Sequence, residues 1–178
     1  MFLSYTTRNI NTISLIITLL VVGAIKGIIP AQTYALQNAE EISQEIVIDN
    51  WKIEIPEIGL VANISNGTDE ETMNKYVGHF EETNFLKGNV GLAAHNRGYP
   101  VNYFKDLNKL EKGDKIYYSY NGKTKTYVVD KIKVIKDTNW EPLENTNENR
   151  ITLITCIANQ PEYRLCVQGI EIGGNNEI

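Results

Sequence analysis

From Trp51 onward, apolar residues alternate with polar ones in short runs broken by turn residues, the period of two that belongs to half-buried strands. Trp51, Ile53 and Ile55 fall on one face, Lys52 and Glu54 on the other, and Pro56 stops the run. Ile58–Ile64 reads as a second strand. Thr68 with Glu71 spells a capping box that opens a short helix through about Tyr76, ended near Gly78. Asn89–His95 is a small-residue apolar run between Gly88 and Gly98, which predicts a buried strand carrying His95 at its end. Val101, Phe104, Leu107 and Leu110 recur every third residue and predict a helical turn or two. Lys115–Tyr120 and Lys123–Ile135 flank Asn121-Gly122, whose tolerance of positive φ marks a two-residue hairpin turn. Arg150–Ile157 and Arg164–Ile172 complete the strands, joined by a loop through Asn159, Gln160 and Pro161. Seven or eight short strands with brief helices and no strand–helix alternation predict an all-β fold, a closed or nearly closed β-barrel dominated by antiparallel pairs.

The first thirty residues follow another pattern. Arg8 precedes an apolar run, Ile13–Ile25, interrupted by Lys26 and resumed by Gly27, Ile28 and Ile29. A membrane crossing takes roughly 20 residues, which Ile10–Ile29 supplies if Lys26 snorkels to an interface. Residues 1–30 therefore read as a membrane anchor or signal segment. A retained anchor leaves Arg8 in the cytoplasm and everything after Pro30 outside; a cleaved one would use a small-residue site such as Thr33-Tyr34-Ala35. Residues 31–48 read as a polar stalk and 49–178 as the folded domain, exported in either case. At 178 residues the chain suits one core, and its net charge of -5 offers no basic surface for nucleic acid.

Candidate chemistry centres on Cys156 and Cys166. Two cysteines in an exported chain could form a disulfide. The alternative sets Cys156 at one strand end, His95 at another, and Arg164 across an antiparallel connection from the sulfur. A thiol is activated as a nucleophile by a neighbouring base. With ordinary pKa values of about 8.5 for Cys and about 6.5 for His, the thiolate–imidazolium form is about a hundredfold rarer than the neutral pair. His79 follows a predicted helix end and reads as structural. Arg97 and Arg150 lack the register of Arg164, and Tyr117, Tyr118 and Tyr120 read as barrel wall.

Thr152-Leu153-Ile154-Thr155-Cys156, with Arg164 eight residues on and Gly91-Leu92-Ala93-Ala94-His95 before it, resembles a sortase, over roughly Trp51–Ile172. The sequence is most similar to class D sortases, with class A second. It departs from many relatives in having two alanines before the His, where they have Ala-Gly, and in a short loop after the Cys. The resemblance implies a sortase-like barrel and a cysteine transpeptidase that cleaves a Leu-Pro-x-Thr-Gly-like sorting signal between Thr and Gly. The acyl group would then pass to a cell-wall amine.

By position, Cys156 would be the nucleophile, His95 the proton-transfer group and Arg164 the oxyanion stabiliser. Ala93 and Ile154 would line the substrate groove, and Thr155 would touch substrate backbone. No cofactor is implied; Ca²⁺, used by some sortases, would fall to Glu70, Glu71, Glu81 and Glu82, where no ligand loop is recognisable. The implied partners are secreted proteins with a C-terminal sorting signal, a cell-wall precursor or pilin amine, and the membrane itself, at a Gram-positive-type cell surface. An exported cysteine peptidase and a non-enzymatic surface β-domain are the competing readings.

Overall fold

The computed structural model describes residues 51–173; the segments read as anchor and stalk lie outside them. Eight strands close a barrel: β1 (Lys52–Ile55), β2 (Leu60–Asn66), β3 (Val77–His79), β4 (Asn89–Ala93), β5 (Lys115–Tyr120), β6 (Lys123–Lys136), β7 (Arg150–Ile157) and β8 (Gln160–Ile172). Their order around the wall is β1-β2-β3-β4-β7-β8-β6-β5, with β5 returning to β1. The expected closed, mainly antiparallel barrel is what forms, with two parallel contacts, β2 with β3 and β4 with β7.

Local chemistry accounts for the boundaries that differ from expectation. The second strand starts at Leu60 because Pro56 opens a 3-10 turn, Pro56–Ile58, that Gly59 closes at φ 60°, a conformation cheap only for glycine. The helix α1 (Glu70–Met73) is capped by Asp69, whose carboxylate accepts from the Thr72 amide, and not by Thr68. It stops well before Tyr76, and the residues expected as its end form β3 instead. That strand is too short to show a period. Gly78 is needed in it, because a Cβ there would lie 2.5 Å from the Gly67 carbonyl oxygen. Between Pro100 and Leu110 there is one 3-10 turn, Leu107–Lys109, which carries a three-residue repeat and buries Phe104, Leu107 and Leu110.

The largest revision concerns β8. The expected loop after Ile157 is a tight turn at Ala158-Asn159, with Asn159 at φ 61°, and β8 begins at Gln160. Ile157 faces Gln160 while Cys156 faces Arg164, so Pro161, Glu162 and Tyr163 form a bulge on β8.

Alternation splits the wall into two faces. Val90 and Leu92 of β4, Ile151 and Leu153 of β7 and Val167 of β8 point inward to a core with Ile53, Ile55, Tyr118 and Tyr127. Tyr118 is fully buried, accepting from Trp51 Nε1 at 3.0 Å and donating to the Phe85 carbonyl at 2.8 Å. On the outer face of β4, β7, β8 and β6 lies a smaller cluster of Ile135, Ile154 and Cys166 under Phe80 and Leu143. The β6–β7 connection is fastened there through one carbonyl. Pro142 O accepts from Asn89 Nδ2 at 2.8 Å, Thr152 Oγ1 at 3.1 Å and Gln168 Nε2 at 3.2 Å, which is why three buried polar residues sit on these strands.

His79 packs between Trp51 and Phe85, with Nδ1 2.9 Å from Asn66 Oδ1 and Nε2 3.1 Å from Thr83 Oγ1. Burial pushes its pKa below 6.5, against smaller opposing effects from the Asn84 carbonyl, Glu81 and Glu82. The unfolded chain therefore takes up a proton near pH 6.5 that folded His79 refuses until lower pH. Stability is fully present above that value and is lost as pH falls toward the folded pKa. Urea midpoints should drop between pH 7.5 and pH 5, and His79→Gln should flatten part of that slope; an unchanged slope would mean that His79 titrates normally.

Candidate active site

The parallel ladder of β4 and β7 pairs Ala93 with Ile154 at its last rung. His95 stands two residues past Ala93, just beyond the end of β4, and Cys156 two residues past Ile154 on β7, and both line one cavity. Across β7 and β8, Cys156 is directly opposite Arg164, and across β8 and β6, Arg164 is opposite Ile135. His95, Cys156, Arg164 and Ile135 thus form one transverse row. The row borders a cavity of about 420 Å³ whose other walls include Ala93, Ile154, Phe80 and Trp140.

Each member is held differently. Cys156 is an exposed free thiol, and its carbonyl accepts from Asn96 Nδ2 at 2.8 Å. Cys166 is also free, so the pair forms no disulfide. It faces Ile154, one diagonal step from Cys156, and burial pushes its thiol up to about 11 despite Lys133 and Arg150. A thiol so protonated and enclosed packs as a small apolar group.

His95 is buried, with Tyr99 stacked on its ring at 3.5 Å between centroids and 5° between planes. Its Nε2 is buried with no hydrogen-bond partner among the described residues. Burial lowers its pKa, with Glu70 acting in the opposite direction. An imidazole in this setting is neutral at neutral pH and keeps a nitrogen free for a proton.

Arg164 is half-buried. Its Nη1 donates to the carbonyls of Pro161 at 2.6 Å and Tyr163 at 2.9 Å, so the β8 bulge wraps around the guanidinium, while Nη2 lies 4.0 Å from Asp137 Oδ2. The remaining N–H groups of the planar fork have no protein acceptor among these bonds.

Among the expected groove residues, Ala93 and Ile154 line the cavity. Thr155 lines it too, and its buried hydroxyl donates to the Ala94 carbonyl at 2.7 Å. That bond ties the ends of β4 and β7 together. Arg150 is occupied elsewhere, bonded to Glu148 and lying 3.4 Å from Asp130. Glu71 pairs with Lys75 and Glu81 accepts from Asn66; among the described residues no three acidic, His or Cys side chains gather as metal ligands.

Tyr99, Asn96 and Trp140 were not singled out by sequence pattern. Asn96 and Tyr99 sit in the loop that leaves His95, and loop contacts have no period to read. Trp140 is 61% exposed and edge-on to Phe80, which stands 6.2 Å away.

The Sortase domain pattern matches residues 53–171. Sortase A of Bacillus anthracis is 32% identical over 108 residues, 60% of this chain and 51% of that protein. Sortase D of Bacillus subtilis is 31% identical over 108 residues, 58% of this chain and 52% of that protein. The chain thus spans about half the length of these curated relatives. Among solved structures, the pilus-related sortase C of Group B Streptococcus superimposes with a TM-score of 0.66 at 31% identity, over 70% of this chain and 68% of that one. A lid mutant of sortase A from Corynebacterium diphtheriae gives 0.66 at 26% identity over 71% and 72%. These relatives carry the names sortase A, C and D, so the likeness favours class D only weakly. With a barrel of the same build and a family match over most of its described residues, the chain belongs to the sortase family.

Proposed function

We propose that this protein is a membrane-anchored, exported cysteine transpeptidase that cleaves a Leu-Pro-x-Thr-Gly-like signal between Thr and Gly. The observation that carries the reading is the row of His95, Cys156 and Arg164 along one cavity. The Cys156 thiolate adds to the threonine carbonyl, and Arg164 donates to the oxygen as it gains charge. His95 passes a proton to the leaving glycine nitrogen, the C–N bond breaks, and a thioester remains. An incoming amine attacks that thioester, His95 takes its proton, and the C–S bond breaks to restore the thiol.

Ala93, Ile154, Phe80 and Trp140 offer an apolar wall suited to the Leu-Pro end of the signal. The substrates in this reading are secreted proteins bearing the signal, and the acceptor is a cell-wall or pilin amine. Burial lowers the His95 pKa, which by itself disfavours the imidazolium partner of the thiolate.

Two experiments test the assignment. Cys156→Ala should abolish cleavage of a signal peptide while Cys166→Ala still cleaves, and iodoacetamide at pH 8 should label Cys156 in the native protein and Cys166 only after unfolding. Loss of cleavage in a folded Cys166→Ala protein would sink the assignment of the nucleophile.

For Arg164, removal of an oxyanion donor costs about 2.7–4 kcal/mol, or on the order of a hundred to a thousandfold in kcat. Arg164→Ala should lose at least that much, and Arg164→Lys should recover a minor part, since a compact ammonium keeps the charge but lacks the planar fork that holds both carbonyls of the bulge on one nitrogen and leaves the other for the oxyanion. Near-normal kcat in Arg164→Lys with a lowered Tm would make this residue a scaffold for the bulge alone.

A further inference from the structure

His79 and His95 are the two histidines of the chain, and they are held by different means. His79 is tied at both ring nitrogens, Nδ1 to Asn66 Oδ1 at 2.9 Å and Nε2 to Thr83 Oγ1 at 3.1 Å. The Nε2 of His95 is buried with no hydrogen-bond partner among the described residues. Rotation of an imidazole about its Cβ–Cγ bond is intrinsically broad and roughly two-fold, so a contact from outside must decide where Nε2 points. The contact present is Tyr99, whose ring lies flat on the imidazole at 3.5 Å between centroids and 5° between planes.

The loop that leaves His95 is tethered on both sides of Tyr99. Gly98 stands before it at φ 79°, a conformation cheap only for glycine. Asn96 Nδ2 donates to the Cys156 carbonyl at 2.8 Å and Arg97 Nη2 to Asn159 Oδ1 at 2.9 Å. Beyond Tyr99, Asn102 Nδ2 donates to the Tyr99 carbonyl at 2.9 Å, and the amide of the buried Phe104 donates to the His95 carbonyl at 3.1 Å. Tyr99 itself is 45% exposed, whereas His95 is 8% exposed. An aromatic ring left half in water adds little to a core; what it covers is the imidazole.

We propose that Tyr99 is a positioning residue for proton transfer: by stacking, it fixes the plane of the His95 ring and with it the direction in which Nε2 delivers its proton. A nucleophile–base pair needs a third group to orient the base, and here an aromatic face does what a hydrogen-bonded side chain does elsewhere. This rests on the transpeptidase reading and adds a residue to it. The step served is the collapse of the first adduct: the C–N bond breaks, the proton on His95 moves to the departing glycine nitrogen, and the acyl carbon stays bonded to the Cys156 sulfur. The Tyr99 hydroxyl takes no part, so Phe can replace it and an aliphatic side chain cannot.

The test uses the full chain in detergent, as wild type, Tyr99→Phe, Tyr99→Leu and Tyr99→Ala. With two histidines in the chain, nuclear magnetic resonance reads the His95 ring directly, and His79 serves as the internal control. The ring current of Tyr99 should hold the His95 ring protons upfield in wild type and Tyr99→Phe, and they should move downfield in Tyr99→Leu and Tyr99→Ala with His79 unmoved. Mass spectrometry then follows single-turnover acylation of Cys156 by two donors, the best-cleaved member of a Leu-Pro-x-Thr-Gly peptide set and the same acyl chain as a thioester. The amide nitrogen leaves only with a proton, whereas a thiolate leaves without one. Tyr99→Leu and Tyr99→Ala should be slowed about tenfold or more on the amide, part of the roughly hundred- to ten-thousandfold that general acid–base transfer supplies, and little changed on the thioester. Tyr99→Phe should match wild type on both.

An unshifted His95 ring in the wild type overturns the inference without any variant. So does a Tyr99→Leu protein that loses the ring-current shift and keeps its rate on the amide, or one that slows equally on both donors, which would make Tyr99 a scaffold of the loop. A Tyr99→Phe protein as slow as Tyr99→Ala would move the role to the hydroxyl and overturn stacking as its cause. In each case the wild type still forms its acyl-enzyme, and the transpeptidase reading stands. If the wild type forms none from the amide, that reading fails and the inference fails with it.

Discussion

The parallel register of β4 against β7 is the constraint on which the site depends. Ala93 against Ile154 fixes that two residues later His95 and Cys156 emerge at the same height and on the same face. A slip of one residue would turn His95 into the core and Leu92 out to solvent, a change opposed by the burial of Val90, Leu92, Ile151 and Leu153. The ordinary hydrophobic effect on the inner face therefore sets the geometry of the outer one. Thr155 adds the final tie, because its bond to the Ala94 carbonyl joins the strands just where the ladder ends.

An outward-facing site needs a roof, and the chain builds one with polar chemistry. The Pro142 carbonyl gathers donors from Asn89, Thr152 and Gln168, so the β6–β7 connection cannot lift without leaving several buried polar groups unpaired. Gly91 makes the close approach possible, since a Cβ there would lie 2.7 Å from Leu143 Cδ2. Trp140, in the same connection, meets Phe80 edge-on beside the row, and Cys166 packs in the cluster under Phe80 and Leu143. Identical side chains one diagonal step apart thus become an exposed thiol and an inert one.

What could be read from the sequence follows from the range of the interactions involved. The Asn121-Gly122 hairpin, the alternation of β1 and the buried run of β4 are local patterns, and each appears in the fold. The row of His95, Cys156 and Arg164 was legible because strand ends and cross-strand partners can be counted along a chain. β3 was not legible: three residues show no period, and its place is set by the close approach of Gly78 to the Gly67 carbonyl, a contact no spacing encodes. The early start of β8 was hidden by Pro161, which reads as a loop residue but here occupies a bulge. Tyr99 and Trp140 come from loops, so only the folded chain shows what they touch.

Two cavities border Cys156, of about 420 and 310 Å³, and Tyr99 stands beside it in each. It lines both cavities and covers one face of the His95 ring, so the imidazole is shielded from bulk water while its Nε2 stays unpaired. In the transpeptidase reading, shielding has opposite effects on the two halves of the acyl transfer. It lowers the proton affinity of His95 and so depletes the form with a charged imidazole, which slows attack by the thiol. The same depression makes the imidazolium, once formed, a stronger acid toward the leaving amine. A site arranged in this way gives up population of its reactive state for a sharper proton delivery within it.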